Sequence, residues 1–512
     1  MAARNLKRLV QIYRVFAKHR CYFFLKNTKY YRPALAFGYV LAPIQSKNSI
    51  TLSDGQRLAL VFQELGPTFI KLGQAFSVRP DMVGEKLAED LSRLQDKLPA
   101  FSSALAKQIV EKELGKKTTE IFKTFDEQPA AAASIAQVHF AKDMEGNEVA
   151  VKILRPNIEA KFFKDINLLF WIAKLANKKM PKFKRLKFGH FVNSLANTTK
   201  LEMDFLYEAA AADELADNFK GDENIRIPKI YWQYATAKVL VLERFSGIPI
   251  DETRKLKEAG HNLDDLLKKS SDLFLKQALR DGFFHADMHP GNVLIDKNGK
   301  ICVFDFGIMG RIDRKNRIMV AELLLGFMNR DYNRIADIHF DAGVVPEGQS
   351  RELFAQACRS IGEPIFGMPQ SQISIGKLLQ KLFKITEQFK MEAQPQLLLL
   401  QKSIIMAEGI GRKLNPDVNY WEVSRDTLEE WGKENLGPLS RLEDSFKELG
   451  STISDFRGII KNLNHSITSN GIVLHPQTIE TLKKSDHSES FWKGFITAIV
   501  LAILSLLMVI KF

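Results

Sequence analysis

Two short stretches constrain this chain more than anything else in it: Phe283-Phe-His-Ala-Asp-Met-His-Pro-Gly-Asn292 and Val303-Phe-Asp-Phe-Gly307. Between them, Val293-Leu-Ile295 and Ile301-Cys-Val-Phe304 flank Asp296-Lys-Asn-Gly299. Two apolar runs around an Asn-Gly turn predict a β-hairpin. The hairpin sets Asp287 and Asn292 on the loop before it and Asp305 just after it. Three oxygen-donor side chains then converge on one spot. That suits Mg²⁺, a hard cation held by one or two carboxylates together with the oxygens of a bound phosphate.

The pattern resembles the protein-kinase catalytic loop and its Asp-Phe-Gly metal turn. By that resemblance Asp287 is the catalytic carboxylate, and Asn292 and Asp305 are the Mg²⁺ ligands. The competing reading is two ordinary Asp/Asn turns on a surface. His-x-Asp, Asn, Asp-Phe-Gly, their spacing and the hairpin all agree against it. One position departs from the pattern. Common protein kinases carry a Lys two residues after the catalytic Asp, and this chain carries His289. Histidine is charged only part of the time near neutral pH.

The 512 residues allow two to four domains, and 45% hydrophobic with 26% charged residues is ordinary globular usage. Three cysteines without a CxxC pair argue against a disulfide framework and a zinc site. Of the net charge of +13, residues 1–53 carry +10, from ten Lys/Arg and no acid. The basicity is therefore local, which excludes a nucleic-acid face spread over the protein.

Leu6, Leu9, Val10, Tyr13 and Phe16 recur at helical spacing among Arg4, Lys7, Arg8, Arg14 and Lys18. A basic amphipathic helix suits an anionic membrane surface, or it packs one face on its own domain. It is not a secretory signal; the absence of acids also allows a mitochondrial transit peptide, although the helix has no Ser. Residues 57–83, 92–98 and 103–114 read as further helices, so residues 1–115 form a helical extension. Residues 137–142 and 148–154 then read as strands around Glu145-Gly-Asn147. The second contains Val149-Ala-Val-Lys-Ile153, which resembles the kinase Val-Ala-Ile-Lys strand. Lys152 would neutralise nucleotide phosphates; alone, a lysine there reads as a solvated edge residue. The loop before it, Pro129-Ala-Ala-Ala-Ala-Ser-Ile-Ala-Gln137, has alanine where a kinase has glycine. Its backbone is held to fewer conformations, which points to altered nucleotide handling.

Residues 162–176 and 193–215 read as helices, and Glu208 on the second is the candidate ion-pair partner of Lys152. A strand at 238–242 leads to Glu243, where a nucleotide base would meet a hinge. The helix at 263–280 presents the catalytic loop, and the pattern is helical from Asn316 to about Trp431. Residues 439–490 are a polar stalk. Residues 494–510 are 17 uncharged, mostly apolar residues, short but sufficient for a membrane span. Lys483, Lys484 and Lys493 before it keep the bulk of the chain cytoplasmic.

Together these motifs resemble the UbiB family of atypical kinases over about residues 1–435, with a membrane anchor at the C-terminus. The specific marks are Lys71-Leu-Gly-Gln74, the alanine loop Ala131, Ala132, Ala133 and Ser134, Glu202-Met-Asp204, the catalytic loop and Asp305-Phe-Gly307. The resemblance implies an α+β, bilobal protein-kinase-like fold with a helical N-terminal extension and a C-terminal transmembrane helix. The expected divisions are 1–115, 116–245, 246–438, 439–490 and 491–512. It implies binding of ATP or ADP with Mg²⁺, ATP hydrolysis, and a requirement in ubiquinone biosynthesis. In that fold the extension lies over the cleft, and Lys71 and Gln74 cover it, with Lys71 meeting Glu202 and Asp204. The implied partners are membrane lipid, ubiquinone precursors, ubiquinone biosynthetic enzymes and a second copy of the chain. The implied location is the bacterial inner membrane, with one span where relatives often have two. A nucleotide-binding pseudokinase scaffold and a small-molecule or lipid phosphotransferase are the rival readings. The intact set of Lys152, Asp287, Asn292 and Asp305 argues against the first, and the extension with its anchor against the second.

Overall fold

A computed structural model describes residues 2–23, 31–42, 51–77, 79, 83–92, 94, 98–179, 188–366, 373–391, 395–436, 467–468 and 471–472. The chain divides into two compact units, 1–433 and 434–512. In the second, the described residues beyond 436 are a strand pair, Ile467–Thr468 with Gly471–Ile472.

In the first unit, Phe122–Phe125 (β1), Ala131–Ala132 (β2), Ala136–Asp143 (β3) and Glu148–Leu154 (β4) precede Ile225–Arg226 (β5) and Val239–Glu243 (β6). The first sheet runs β1-β3-β4-β6, with β2 on β3, all antiparallel. Strand periodicity decides which way its side chains point. In β4, Val149, Val151 and Ile153 are fully buried and pack with Ala106 and Val110 of the helix Ser103–Leu114. Lys152 lies between them in sequence and so on the opposite face. That helix is capped by Ser102 and ends at Gly115 in the left-handed conformation, φ 68°.

Ile248–Pro249 (β7), Phe283–His285 (β8), Val293–Ile295 (β9), Ile301–Val303 (β10) and Met309–Arg311 (β11) follow. The β9–β10 hairpin forms as expected, inside a sheet of order β5-β10-β9-β7. Its turn is held by Asp296, whose Oδ1 accepts from the amides of Asn298 and Lys300 at 2.9 Å. One continuous core runs from the extension (Val61, Phe62, Ile70) through Phe205 and Phe284 to Ile404 and Trp421.

Several helices differ from the sequence pattern, each for a local reason. The helix expected over 57–83 is two, Asp54–Leu65 and Pro67–Ser77, broken where Gly66 adopts φ 99° before Pro67. A helix occupies Glu85–Ser92, and most of the one expected at 92–98 lies outside the described residues. The one expected over 193–215 is also two, Phe188–Glu202 and Phe205–Asn218, because Asp204 caps the second. The helix Leu263–Leu275 passes into a π-helical turn, Lys276–Asp281, before β8.

The N-terminal helix Ala2–Lys18 docks on its own domain. Val15 and Ala17 are buried, Arg8 pairs with Asp165 at 2.7 Å, and Lys18 pairs with Glu64 at 2.9 Å. Cys21, Cys302 and Cys358 are free and buried. Among the described residues no helix is long and apolar enough to cross a membrane. The span expected at 494–510 lies outside the described residues, as does the stalk apart from its strand pair.

Candidate active site

β4 aims Lys152 at two carboxylates. Its Nζ donates to both oxygens of Glu208 at 2.8 Å and to Asp305 Oδ1 at 2.8 Å. Glu208 reaches it because Asp204 starts a new helix: the Asp204 carboxylate accepts from the Leu206 amide at 3.1 Å, and Glu208 faces inward in the first turn. Burial disfavours the charge on Lys152, but Asp305 and Glu208 outweigh it and raise its pKa. Burial lifts Glu208 to about 6 against the pull of Lys152. Burial would also lift Asp305, but Lys152 outweighs it and, with His285 and Lys71, holds the carboxyl well below its usual range. Asp305 is thus anionic at neutral pH, and 49% of its side chain remains open to the cleft. Its φ of 66° is unusual for a residue with a side chain and costs on the order of 1 kcal/mol.

The catalytic loop is held from below by His285. Its Nδ1 accepts from the Asp287 amide at 3.1 Å, and its Nε2 lies 3.4 Å from the Phe304 carbonyl oxygen. Burial lowers its pKa, which fits a neutral ring with its proton on Nε2. The strand it sits on, β8, pairs with β11, where Gly310 packs so closely on Phe284 that a Cβ would lie 2.2 Å from the ring. Asn292 Nδ2 donates to the Asp287 carbonyl at 3.1 Å, so Oδ1 is the side-chain atom that could ligate a cation. His289 turns into the loop: its Nδ1 accepts from the Gly291 amide at 2.9 Å.

Asp287 has a partner that the spacing of the motif gave no sign of. Lys402, on the helix Pro395–Leu414, donates to Asp287 Oδ1 at 2.7 Å. Burial would raise the Asp287 carboxyl, and Lys402 outweighs it and lowers it.

The helix Pro67–Ser77 carries Lys71, one of the cations that lower the Asp305 carboxyl. Lys71 and Glu202, both buried, pair at 2.5 Å. Asp204, expected beside Glu202 as a second partner of Lys71, is occupied as the helix cap described above. Gln74 is half-buried on the same helix.

The alanine loop is a tight hairpin end. Ala131 and Ala132 pair with Val138 and Gln137, and the Ala133 amide donates to the Ala136 carbonyl at 2.8 Å. Ser134 is fully buried at its tip. Arg155 clamps the loop: Nε donates to the Ala133 carbonyl at 2.7 Å, and Nη1 to the Pro99 carbonyl at 3.0 Å. That restraint adds to the stiffness of alanine and was not legible in the motif. At the hinge, the Glu243 side chain pairs with Arg226 at 2.5 Å and its amide donates to the Lys229 carbonyl.

One carboxylate and one amide oxygen, Asp305 and Asn292, are too few to hold Mg²⁺ by themselves. They fit a cation that brings phosphate oxygens with it.

A sheet lysine paired both to a helix glutamate and to the aspartate of an Asp-Phe-Gly turn, beside a loop bearing Asp287 and Asn292, defines a kinase-like protein. Residues 93–339 match the ABC1 atypical kinase-like domain, and residues 358–419 match the UbiB helical domain. A Marinobacter nauticus protein named "Probable protein kinase UbiB" is 38% identical over 97% of this chain and 93% of its own length. A Pseudomonas fluorescens protein of the same name is 37% identical over 90% of this chain and 88% of its own. A solved complex of a Mycobacterium tuberculosis protein with erythromycin covers 71% of this chain and 93% of that chain, at 24% identity and TM-score 0.45. The chain belongs to the UbiB family of atypical kinases.

Proposed function

We propose that this chain is an ATP-dependent, Mg²⁺-requiring atypical kinase or ATPase that supports ubiquinone biosynthesis at the bacterial inner membrane. The observation that carries the reading is the position of Lys152, shared at 2.8 Å between Glu208 and Asp305. That pairing leaves an ammonium, a low-pKa carboxylate and the amide of Asn292 around one cleft.

In this reading Lys152 binds nucleotide phosphate and Glu208 fixes its direction. Asn292 and Asp305 would hold Mg²⁺, whose contribution is to neutralise phosphate charge. Asp287, kept ionised by Lys402, orients the attacking hydroxyl or water and takes its proton. Phosphoryl transfer depends almost wholly on placing these groups in line. The buried Lys71–Glu202 pair favours a small acceptor, a lipid headgroup or water over a protein segment, because it ties the extension to the helix that precedes the one bearing Glu208. Membrane attachment through residues 494–510 belongs to the same proposal. It fails if the full-length chain stays in the soluble fraction at high salt.

The functional test is complementation. Cells lacking their own family member should regain ubiquinone with this chain and not with a normally expressed Asp287→Ala variant. Full rescue by that variant would favour a nucleotide-binding scaffold instead.

A further inference from the structure

The catalytic loop has no cation of its own. The position two residues after Asp287 is His289, and its Nδ1 is spent on the Gly291 amide. Yet a phosphoryl group in transfer spreads negative charge over three oxygens, which nearby donors must meet. Lys402 stands where such a donor is needed. Its Nζ is 2.7 Å from Asp287 Oδ1, with side-chain exposures of 29% and 30%. An ammonium has three N–H donors, and Asp287 takes one.

Distances limit where the others can go. An acceptor hydroxyl oriented by Asp287 lies within about 3.2 Å of its carboxylate. The phosphorus it attacks lies about 3–3.5 Å further on. An ammonium on the same carboxylate is therefore within reach of the oxygens of the transferring group. The arm that delivers it is rigid: Leu400, Ile404, Ala407 and Ile410 of the same helix are buried in the core that also holds Phe284. The helix lies in the segment matched by the UbiB helical domain, separate from the matched kinase-like segment.

We infer that Lys402 is the missing active-site cation: a catalytic residue, supplied by the helical domain, that bridges Asp287 and the transferring phosphoryl group. This rests on the reading of the site as a phosphoryl-transfer centre. The acceptor oxygen forms the new P–O bond while the bond to the β-phosphate oxygen breaks. The acceptor proton passes to Asp287, ADP leaves, and Lys402 keeps its protons throughout.

The test compares full-length wild type with Lys402→Met and Lys402→Arg. Lys413→Met serves as a control, because Lys413, on the same helix as Lys402, pairs instead with Asp251. Two readings are taken: Mg-ATP turnover, and affinity for Mg-ADP with and without fluoroaluminate, a mimic of the transferring group. Lys402→Met should lose roughly 100-fold in kcat with KM for ATP within about threefold. It should bind Mg-ADP normally and lose the tightening by fluoroaluminate, while Lys402→Arg recovers most of both. Lys413→Met should match wild type. Unchanged kcat and unchanged tightening in Lys402→Met would overturn the inference, as would an equal loss of Mg-ADP and mimic binding. If wild type shows no turnover, the reading of the chain as an enzyme falls. The mimic then still decides: tightening that depends on Lys402 supports its place, and no tightening in wild type overturns it.

Discussion

Lys71 and Glu202 form a buried ion pair at 2.5 Å, and Glu202 is the last residue of the helix that precedes the Glu208 helix. The helix Pro67–Ser77 is thereby fastened to the helix Phe188–Glu202, next in sequence before the one whose Glu208 pairs with Lys152. Breaking a buried pair by removing one partner costs about 3 kcal/mol or more. Lys71→Ala should therefore lower the melting temperature by several degrees. It should also raise the share of labelled phosphate found on protein relative to that released. An unchanged partition would mean that this pair does not control the acceptor.

The alanine loop makes a second prediction through its clamp. Arg155 reaches Ala133, Pro99 and Leu98 at once. Arg155→Met should loosen the loop and shift nucleotide affinity several-fold, measured by titration with Mg-ATP and Mg-ADP. Ala133→Gly alone should shift it less, because the guanidinium still holds the carbonyl. A larger effect from Ala133→Gly would place the restraint in the alanine rather than in the clamp.

Gly310 has no room for a side chain against Phe284. Gly310→Ala should destabilise the chain by about 1–3 kcal/mol through overpacking. Because β11 pairs with the strand that carries His285, the loop should be disturbed as well. Denaturant unfolding checks the first and nucleotide binding the second.

Much of this site was legible because its residues are close in sequence. The hairpin, the Asp287–Asn292 spacing and the Asp-Phe-Gly turn follow from local turn chemistry. The helix breaks at Gly66-Pro67 and at Asp204 were written in residues whose signals are known, a proline start and an aspartate cap. They were masked by apolar periodicity that runs on across both breaks. Lys402 was not legible in any comparable way. It lies 115 residues beyond Asp287, in a helix whose pattern reports only burial. Arg155 was hidden for a similar reason: its partners are carbonyls, which carry no mark in a sequence.

The docking of the N-terminal helix depends on pH. Glu64 accepts from Lys18 at 2.9 Å and meets His19 at 2.8 Å. Burial raises its carboxyl, but the hydrogen bonds from Lys18 and His19 outweigh it and lower it below the usual 4.5. Its contribution is therefore complete above about pH 4.5 and is lost as pH falls through the lowered folded value. Hydrogen exchange of residues 2–18 should speed up on acidification beyond the intrinsic trend. Glu64→Gln should remove that dependence and show the faster exchange already at pH 7.

The central claim is that Asp305, with Asn292 and Lys152, makes a Mg-nucleotide site. Its most direct test is the melting temperature of wild type and Asp305→Asn, each with ATP alone and with Mg-ATP. At a hundredfold excess over Kd, a bound ligand adds about 2.7 kcal/mol, enough to be read as a clear shift. Wild type should rise by several degrees with Mg-ATP and much less with ATP alone, and Asp305→Asn should lose the part that depends on the metal. An equal Mg-ATP shift in the two proteins would contradict the assignment.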